Sequence, residues 1–359
     1  MSIALVLSDA RVADVRPTTS ALGELMACLH SFAEFEHHPE VRDWLTHVRG
    51  TMSPQLASMV SRFQPLWARY RCRLLLPTDP TPGTTLADGL EAVRRMPMEL
   101  FVGLAANGIR GNSTGVLDPR GDAVAEEEFV RTCEQRSFSR GELARSLLDD
   151  PDRLRRDLLG ALELCDEEFF AAEWRRVHPA LDDAASTLRA RLRQQSLVQV
   201  IGSLSATATV VHHPPEVRFD KLQSDRVELG NSRPCLLVPS VHTWPHLLVK
   251  SDPGLPVVVH FPARPPQSAH TLESMRRCLA VLSDPGRLGL CRHLLGEEIT
   301  TSELATRTGY TRPQVSRHLS QLRSVGMVRS QRQGRLVYHR LNTLTLARLG
   351  PDLLTAIMR

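Results

Sequence analysis

Apolar residues change their period twice along this chain. Up to about Gln195 they recur every three or four positions. From about Leu197 to Pro262 they gather in short runs, and from Leu272 the helical spacing returns. The first regime predicts helices. In SALGELMACLHSFAEF, Leu22, Leu25, Met26, Leu29 and Phe32 share one face, and Ser20 is placed to cap the helix. SPQLASMVSRFQPLWARYR, EEEFVRTCEQRS, SRGELARSLLDD and the long stretch from Asp150 to Gln195 continue the pattern, with Pro54, Pro97, Pro151 and Pro179 near starts or breaks. Pro77 to Asp88 and Asn107 to Asp122 read as loops. The second regime, EVRFD, DRVEL, CLLVP, HLLVK and PVVVHFP, is punctuated by Pro, Gly, Ser and Asn and predicts a small antiparallel layer. ARPPQSAH, Ala263 to His270, reads as a linker.

The third regime is compact and helical. Two helices joined at Asp284-Pro285 take Leu279, Leu282, Leu288, Cys291, Leu294 and Leu295 as their apolar positions. TTSELATRTGY follows, with Thr301 as the expected cap, Leu304 and Ala305 facing inward and Gly309 able to end the helix in a left-handed conformation. Thr311 then caps a helix whose first turn contains Pro313, where a missing backbone N–H costs little. Val315, Leu319 and Leu322 form its buried stripe, while Gln314, Ser316, Arg317 and Ser320 fall on the other side or its flanks. That face holds no acid, and its side chains suit base edges and phosphates. MVRSQRQGRLVYHRL adds two β-runs around Gln333-Gly334, a hairpin with Arg332 and Arg335 beside its tip. Helix, glycine-containing turn, polar helix and basic hairpin make a winged helix-turn-helix. The residues expected to meet DNA are Thr311, Arg312, Gln314, Ser316, Arg317, His318, Ser320, Arg332 and Arg335. His318 lies ~70° from the centre of the apolar stripe, so both packing at the helix edge and touching DNA stay open.

The expected fold class is mainly α with a small β layer. A mainly helical N-terminal domain covers 1–196, a small antiparallel β segment packed on it covers 197–265, and the winged helix-turn-helix covers 270–359. Charge sharpens this division. From Leu272 onward there are 14 Arg and 6 Asp/Glu, a net of +8; of the totals of 44 basic and 40 acidic residues, 30 and 34 remain, a net of −4. A basic module on a mildly acidic body is what a nucleic-acid-binding tail shows. A charged fraction of 23% and a hydrophobic fraction of 42% are those of a globular protein. No apolar run approaches the ~20 residues of a membrane span, and the start resembles no signal peptide, so the expected location is the cytoplasm, at the nucleoid. Seven cysteines without a C-x-x-C pair argue for buried thiols rather than a disulfide or zinc framework.

VLSDPGRLGLCRHLL, SELATRTGYTRPQVSRHLSQLRSVGMV and RQGRLVYHRL together resemble the winged-helix domain of the ArsR/SmtB repressors, over about 90 residues. The resemblance implies a homodimer on a two-fold symmetric operator, with one recognition helix in each of two major grooves. It also implies that the helices around Leu272–Ser283 and in TLTLARLGPDLLTAIMR build the dimer. The family's metal and metalloid inducers are not implied: ELATRTG lacks the cysteine box, and the last helix lacks the Asp, His and Glu set of the zinc sensors. Cys278 and Cys291, on adjacent helices, are either core residues or an oxidisable pair.

The long N-terminal region resembles that of a subgroup of ArsR-type regulators, chiefly through LLVPSVHTWPHLLVKSDPGLPVVVHFPA, and that resemblance implies no chemistry. No G-x-S-x-G, P-loop, dinucleotide fingerprint or H-E-x-x-H occurs in it. His37-His38, His212-His213 and His242/His246 are the only local histidine groupings; HTWPH, with no neighbouring acid or cysteine, reads as a turn between strands rather than a metal site. Glu126-Glu127-Glu128 suits a helix start. Trp44, Phe63, Trp67, Phe101, Phe169, Phe170 and Trp174 are either plain core or the lining of an apolar ligand pocket. The expected function is therefore a sequence-specific DNA-binding regulator, a repressor, acting as a dimer. No metal or other cofactor is expected. The body either senses a small-molecule effector, or adds dimer interface, or is an enzyme or partner-binding domain fused to the DNA-binding module.

Overall fold

A computed structural model describes the chain except for residues 1, 36–37, 39–40, 80, 82–84, 113–117, 206–207, 222–223, 231–232, 245, 264–270, 296–297, 335 and 359. Nearly all of the expected linker lies outside the described residues, as does Arg335. The chain divides into two compact units, Met1–Gln267 and Ser268–Arg359.

In the first unit, β1 (Ser2–Val6) and β2 (Val15–Pro17) precede eight helices. These are α1 (Ala21–Ala33), α2 (Arg42–Thr51), α3 (Pro54–Trp67), α4 (Leu86–Arg95), α5 (Met98–Arg110), α6 (Ala123–Glu134), α7 (Phe138–Asp149) and α8 (Pro151–Cys165). A π turn over Asp166–Phe170 carries α8 into α9 (Ala171–Leu192), and α10 (Leu197–Gly202) follows. The strands β3 (Thr209–His212), β4 (Pro215–Asp220), β5 (Asp225–Glu228), β6 (Cys235–Ser240), β7 (Leu248–Lys250) and β8 (Val257–Pro262) complete the unit. Local chemistry explains the helix starts. Ser20, Ser53, Asp122 and Asp150 each accept a backbone N–H of the first turn, and Pro54 and Pro151 occupy first-turn positions where no N–H is required.

The strands correct the expectation of one antiparallel layer over 197–265. They form two mixed four-stranded sheets, ordered β3-β4-β1-β5 and β2-β6-β8-β7. β6 runs parallel to both β2 and β8, and β1 runs parallel to β5, so both sheets draw a strand from the N-terminal end of the chain. CLLVPS of β6 and VVVHFP of β8 are buried at all six positions. A strand with no polar face cannot show one side to water; it must be covered on both, which is the situation of central parallel strands. Alternate side chains then serve two cores. Leu236, Val238 and Val258 join the helical core of α1 to α8, while Cys235, Leu237, Val257 and Val259 join a second core with Leu5, Val200 and Val217.

The loop after β6 is held by charge. Nδ1 of His242 lies 2.7 Å from Oε1 of Glu24 on α1, and its Nε2 lies 3.0 Å from Oε1 of Glu173 on α9, all three side chains being buried. The backbone N–H groups of Val241 and His242 also donate to Glu24 Oε1, each at 3.1 Å. Burial alone depresses the imidazole's basicity, but Cys28, Glu173 and Glu24 around it outweigh burial and hold its pKa well above the ordinary value. Burial pushes Glu173 up, yet its bonds to His242 and Arg176 bring it down to about 2. The two halves give opposite pH limits. The contribution of Glu173 is present above its ordinary 4.5 and lost as pH falls toward about 2. That of His242 is complete below its ordinary 6.5 and lost as pH rises through its raised folded value.

His242→Leu leaves the buried Glu24 carboxylate without its imidazolium and Glu173 with Arg176 alone, and should cost on the order of 3–5 kcal/mol at neutral pH. Urea unfolding of wild type and variant measures it; equal midpoints sink the assignment.

Candidate nucleic-acid interface

The second unit contains α11 (Leu272–Leu282), α12 (Pro285–His293), β9 (Ile299–Thr300), α13 (Thr301–Thr308), α14 (Arg312–Ser324), β10 (Val328–Gln333), β11 (Leu336–Leu341) and α15 (Thr343–Met358). Its core holds Met275, Cys278, Val281, Leu290, Cys291 and Leu294 from the first two helices, closed by Leu304, Val315, Leu319 and Leu322. Cys278 and Cys291 are free thiols of that core. The expected apolar positions of α11 and α12 are thus corrected in part. Leu279, Leu288 and Leu295 are exposed, and Met275, Cys278, Val281 and Leu290 do the packing.

Two turns set the angle between α13 and α14. Thr300, the last residue of β9, caps α13 by accepting the N–H of Glu303 at 3.2 Å. It takes the role expected of Thr301 because its extended backbone lies just outside the helix, whereas Thr301 is already the first helical residue. Thr301 instead bonds His339 Nε2 at 3.0 Å. Gly309 ends α13 at φ 74°, a left-handed conformation that a side chain disfavours. Thr311 then caps α14 in a reciprocal box: Gln314 N–H donates to Thr311 Oγ1 at 3.4 Å, and Thr311 N–H donates to Gln314 Oε1 at 2.9 Å. Arg312 and Pro313 are the first two helical residues.

Along α14 only Val315, Leu319 and Leu322 are buried. Thr311, Arg312, Gln314, Ser316, Arg317 and Ser320 are exposed, and no acidic residue occurs in the helix. The amide oxygen of Gln314 is engaged by the cap. His318 is half-buried at the helix edge, its ring centre 5.6 Å from that of Tyr310 and its Nδ1 4.0 Å from Asp284 Oδ1.

β10 and β11 pair antiparallel with Gln333 opposite Leu336, and β9 adds a third strand. The hairpin tip therefore follows Gln333, with Gly334 at φ 62°. Arg332 is exposed and its Nε donates to the Gly334 carbonyl at 3.2 Å. His339 pins this wing to the helices: besides Thr301, it bonds Ser330 Oγ through Nδ1 at 2.8 Å.

Two clusters inside the first unit escaped sequence reasoning, because their members lie on separate segments. One is Glu24, His242 and Glu173 with Cys28. A thiol, an imidazole and a carboxylate in contact suggest a nucleophile and its base, but the environment opposes that chemistry. Burial pushes the Cys28 thiol up to about 11, and two carboxylates keep His242 protonated, so it cannot accept a proton. The other cluster joins His246 to His30 and His38. HTWPH does form a loop between strands, β6 and β7, yet its second histidine meets α1 and the segment after it. The seven aromatics are core or its edge: Phe63, Trp67, Phe101 and Phe170 are fully buried. A cleft of about 550 Å3, bordered by Leu22, Leu74, Thr85, Val93 and Leu255 among others, is lined by none of the seven. Among the described residues no helix is long and apolar enough to cross a membrane.

Thr311→Ala removes the cap of α14 and should weaken its first turn by ~1 kcal/mol. Amide exchange of Val315 and Ser316 measures this; unchanged protection contradicts the capping box.

Comparison with known proteins agrees with the division into two units. Residues 1–267 match a family of unknown function, DUF5937, and residues 282–331 match a helix-turn-helix domain. The transcriptional repressor SdpR of Bacillus subtilis is 29% identical over 72 residues, 20% of this chain and 80% of that protein. The arsenic resistance transcriptional regulator ArsR2 of Pseudomonas putida is 49% identical over 45 residues, 12% of this chain and 39% of that protein. The regulator KmtR of Mycobacterium tuberculosis is 36% identical over 80 residues, 21% of this chain and 62% of that protein. The chain thus spans less than two thirds of the latter two relatives. Among solved structures, an ArsR-like regulator from Rhodococcus sp. RHA1 is 28% identical, with 23% of this chain and 76% of that one covered at a TM-score of 0.22. The chain belongs to the DUF5937 family, and its terminal helix-turn-helix domain, similar to those of ArsR-family regulators, makes it a DNA-binding transcriptional regulator.

Proposed function

We propose that the protein is a homodimeric repressor acting in the cytoplasm, which binds a two-fold symmetric operator and whose body receives the signal. The observation that carries the DNA-reading part is α14. Apart from Pro313 in the first turn, its outer face is polar or basic and free of acids, while three apolar side chains fix it to the core. Arg312 and Arg317 reach base edges and phosphates, Ser316 and Ser320 bond between them, and Thr311 and Gln314 set the first turn against the duplex. His318 orients the helix edge through Tyr310 and Asp284. Arg332 serves the backbone beside the groove.

The dimer reading rests on α11 and α15. They pack on one another, yet Leu272 and Leu279 of α11 and Leu344, Leu354 and Ile357 of α15 are exposed. Exposed apolar side chains on two neighbouring helices favour a partner surface, and a second copy of the chain supplies the matching one. Two recognition helices about one helical turn apart then require a palindromic site. A body that binds an effector alters operator affinity only as far as the effector prefers one conformation of the dimer.

The protein should shift a fragment of its own promoter region, with affinity falling steeply as salt rises. Arg317→Ala should lose ~1–3 kcal/mol on the operator and discriminate less between sequences, whereas Arg332→Ala should weaken all sequences alike and lower the salt slope by about 1. Binding isotherms on operator and scrambled duplexes decide; identical behaviour of the two variants contradicts the helix and wing roles. Leu354→Glu should give a monomer in analytical ultracentrifugation, and a dimer of undiminished stability contradicts the α11–α15 interface.

A further inference from the structure

The histidine cluster lies in the first unit, and its geometry is that of a ligand set. His30 stands on the last turn of α1, His38 in the segment after it, and His246 in the loop between β6 and β7. Their ring centres are 5.2, 5.4 and 5.6 Å apart, with interplanar angles of 89°, 74° and 68°. One ring nitrogen from each lies within 4.8 Å of the other two. Three imidazoles on a tetrahedral ion at ~2.0–2.1 Å have ring centres ~5 Å apart and nitrogens ~3.3 Å apart. The rings already stand at that spacing, and the nitrogens, within 4.8 Å of one another, would close to ~3.3 Å around a common ion.

We propose that His30, His38 and His246 bind a divalent transition-metal ion of the zinc class, and that Arg71 competes with it from inside the protein. His30 Nδ1 lies 2.9 Å from the Trp67 carbonyl, which accepts its proton and leaves the lone pair on Nε2. A ligand histidine commonly has this outer support. Arg71 Nη2 donates to that same lone pair at 2.5 Å, so arginine and metal cannot both have it. Arg71 is poorly accommodated where it is. It is buried, its Nε has no hydrogen-bond partner among the described residues, and its φ of 54° is left-handed. His246 Nε2 is likewise buried with no hydrogen-bond partner among the described residues. Nitrogen donors without thiolate or carboxylate suit zinc, cobalt or nickel rather than calcium or magnesium. The site uses neither α13 nor α15, and the rings come from three segments that the metal would tie together.

Equilibrium dialysis of the untagged full chain against zinc, with cobalt(II) absorption as a second probe, tests this. One ion per chain is expected. His246→Gln should abolish stoichiometric binding, while His212→Gln, on β3, should leave it unchanged. Arg71→Gln should tighten binding on the order of 10-fold. Absence of binding by both wild type and Arg71→Gln, or undiminished affinity in His246→Gln, overturns the site. Weaker binding by Arg71→Gln overturns the competition. If His246→Gln does not fold, the number of imidazoles on bound cobalt decides, three supporting the site and fewer refuting it. The readout is metal rather than DNA, so its failure leaves the repressor reading untouched.

Discussion

The first unit depends on one constraint: β6 and β8 have no polar face. Every position of CLLVPS and VVVHFP is buried, so their backbone groups must pair with other strands and both faces must be covered. β2 and β7 satisfy the outer edges of that pair. The helical core covers one face, and the second sheet with α9 and α10 fills the other. The loop leaving β6 then falls between α1 and α9, where Glu24 and Glu173 await His242.

Buried charge is the price of that placement, and it is met in two different ways. His242 is compensated on both nitrogens, so the loop is locked and its imidazolium has no lone pair to offer. Arg71, by contrast, donates Nη2 to a neutral imidazole and has an Nε with no hydrogen-bond partner among the described residues. Burial pushes its pKa down to about 9 despite the field of Glu34. Arg73, nearby in sequence, also has an Nε without a hydrogen-bond partner among the described residues, but it faces a carboxylate, Asp252 at 3.6 Å, and donates to the Leu76 and Pro256 carbonyls, each at 3.0 Å. A cation facing a carboxylate is held by charge; Arg71, bonded to a neutral imidazole of the ligand set, is the one proposed to yield to a metal.

The second unit presents the opposite economy, with its polar groups turned outward. Thr311, Pro313 and Gln314 start α14, Gly309 permits the turn before it, and the stripe Val315, Leu319, Leu322 orients it. These are local effects with a fixed period, and the helix-turn-helix was legible for that reason. Thr300 in place of Thr301 is a shift of one residue, decided by where β9 ends. Which face of α11 is buried was not legible: Leu279 and Cys278 are adjacent apolar residues, and contact with α14 and α15 selects Cys278.

By itself the sequence indicated many but not all of the helices (α2, α4, α5 and α10 were not read from it), the caps Ser20 and Thr311, the division of charge and the polar face of α14, because each depends on neighbours within a few positions. The tertiary structure decided what depends on residues far apart. It converted the expected antiparallel layer into two mixed sheets, since strand partners are chosen by burial across the whole unit rather than by alternation within a run. It also turned His246 from a turn residue into the third member of a cluster with His30 and His38. No spacing rule could reveal that, because more than 200 residues separate His38 from His246 and only the packing of α1 beside β6 brings them together.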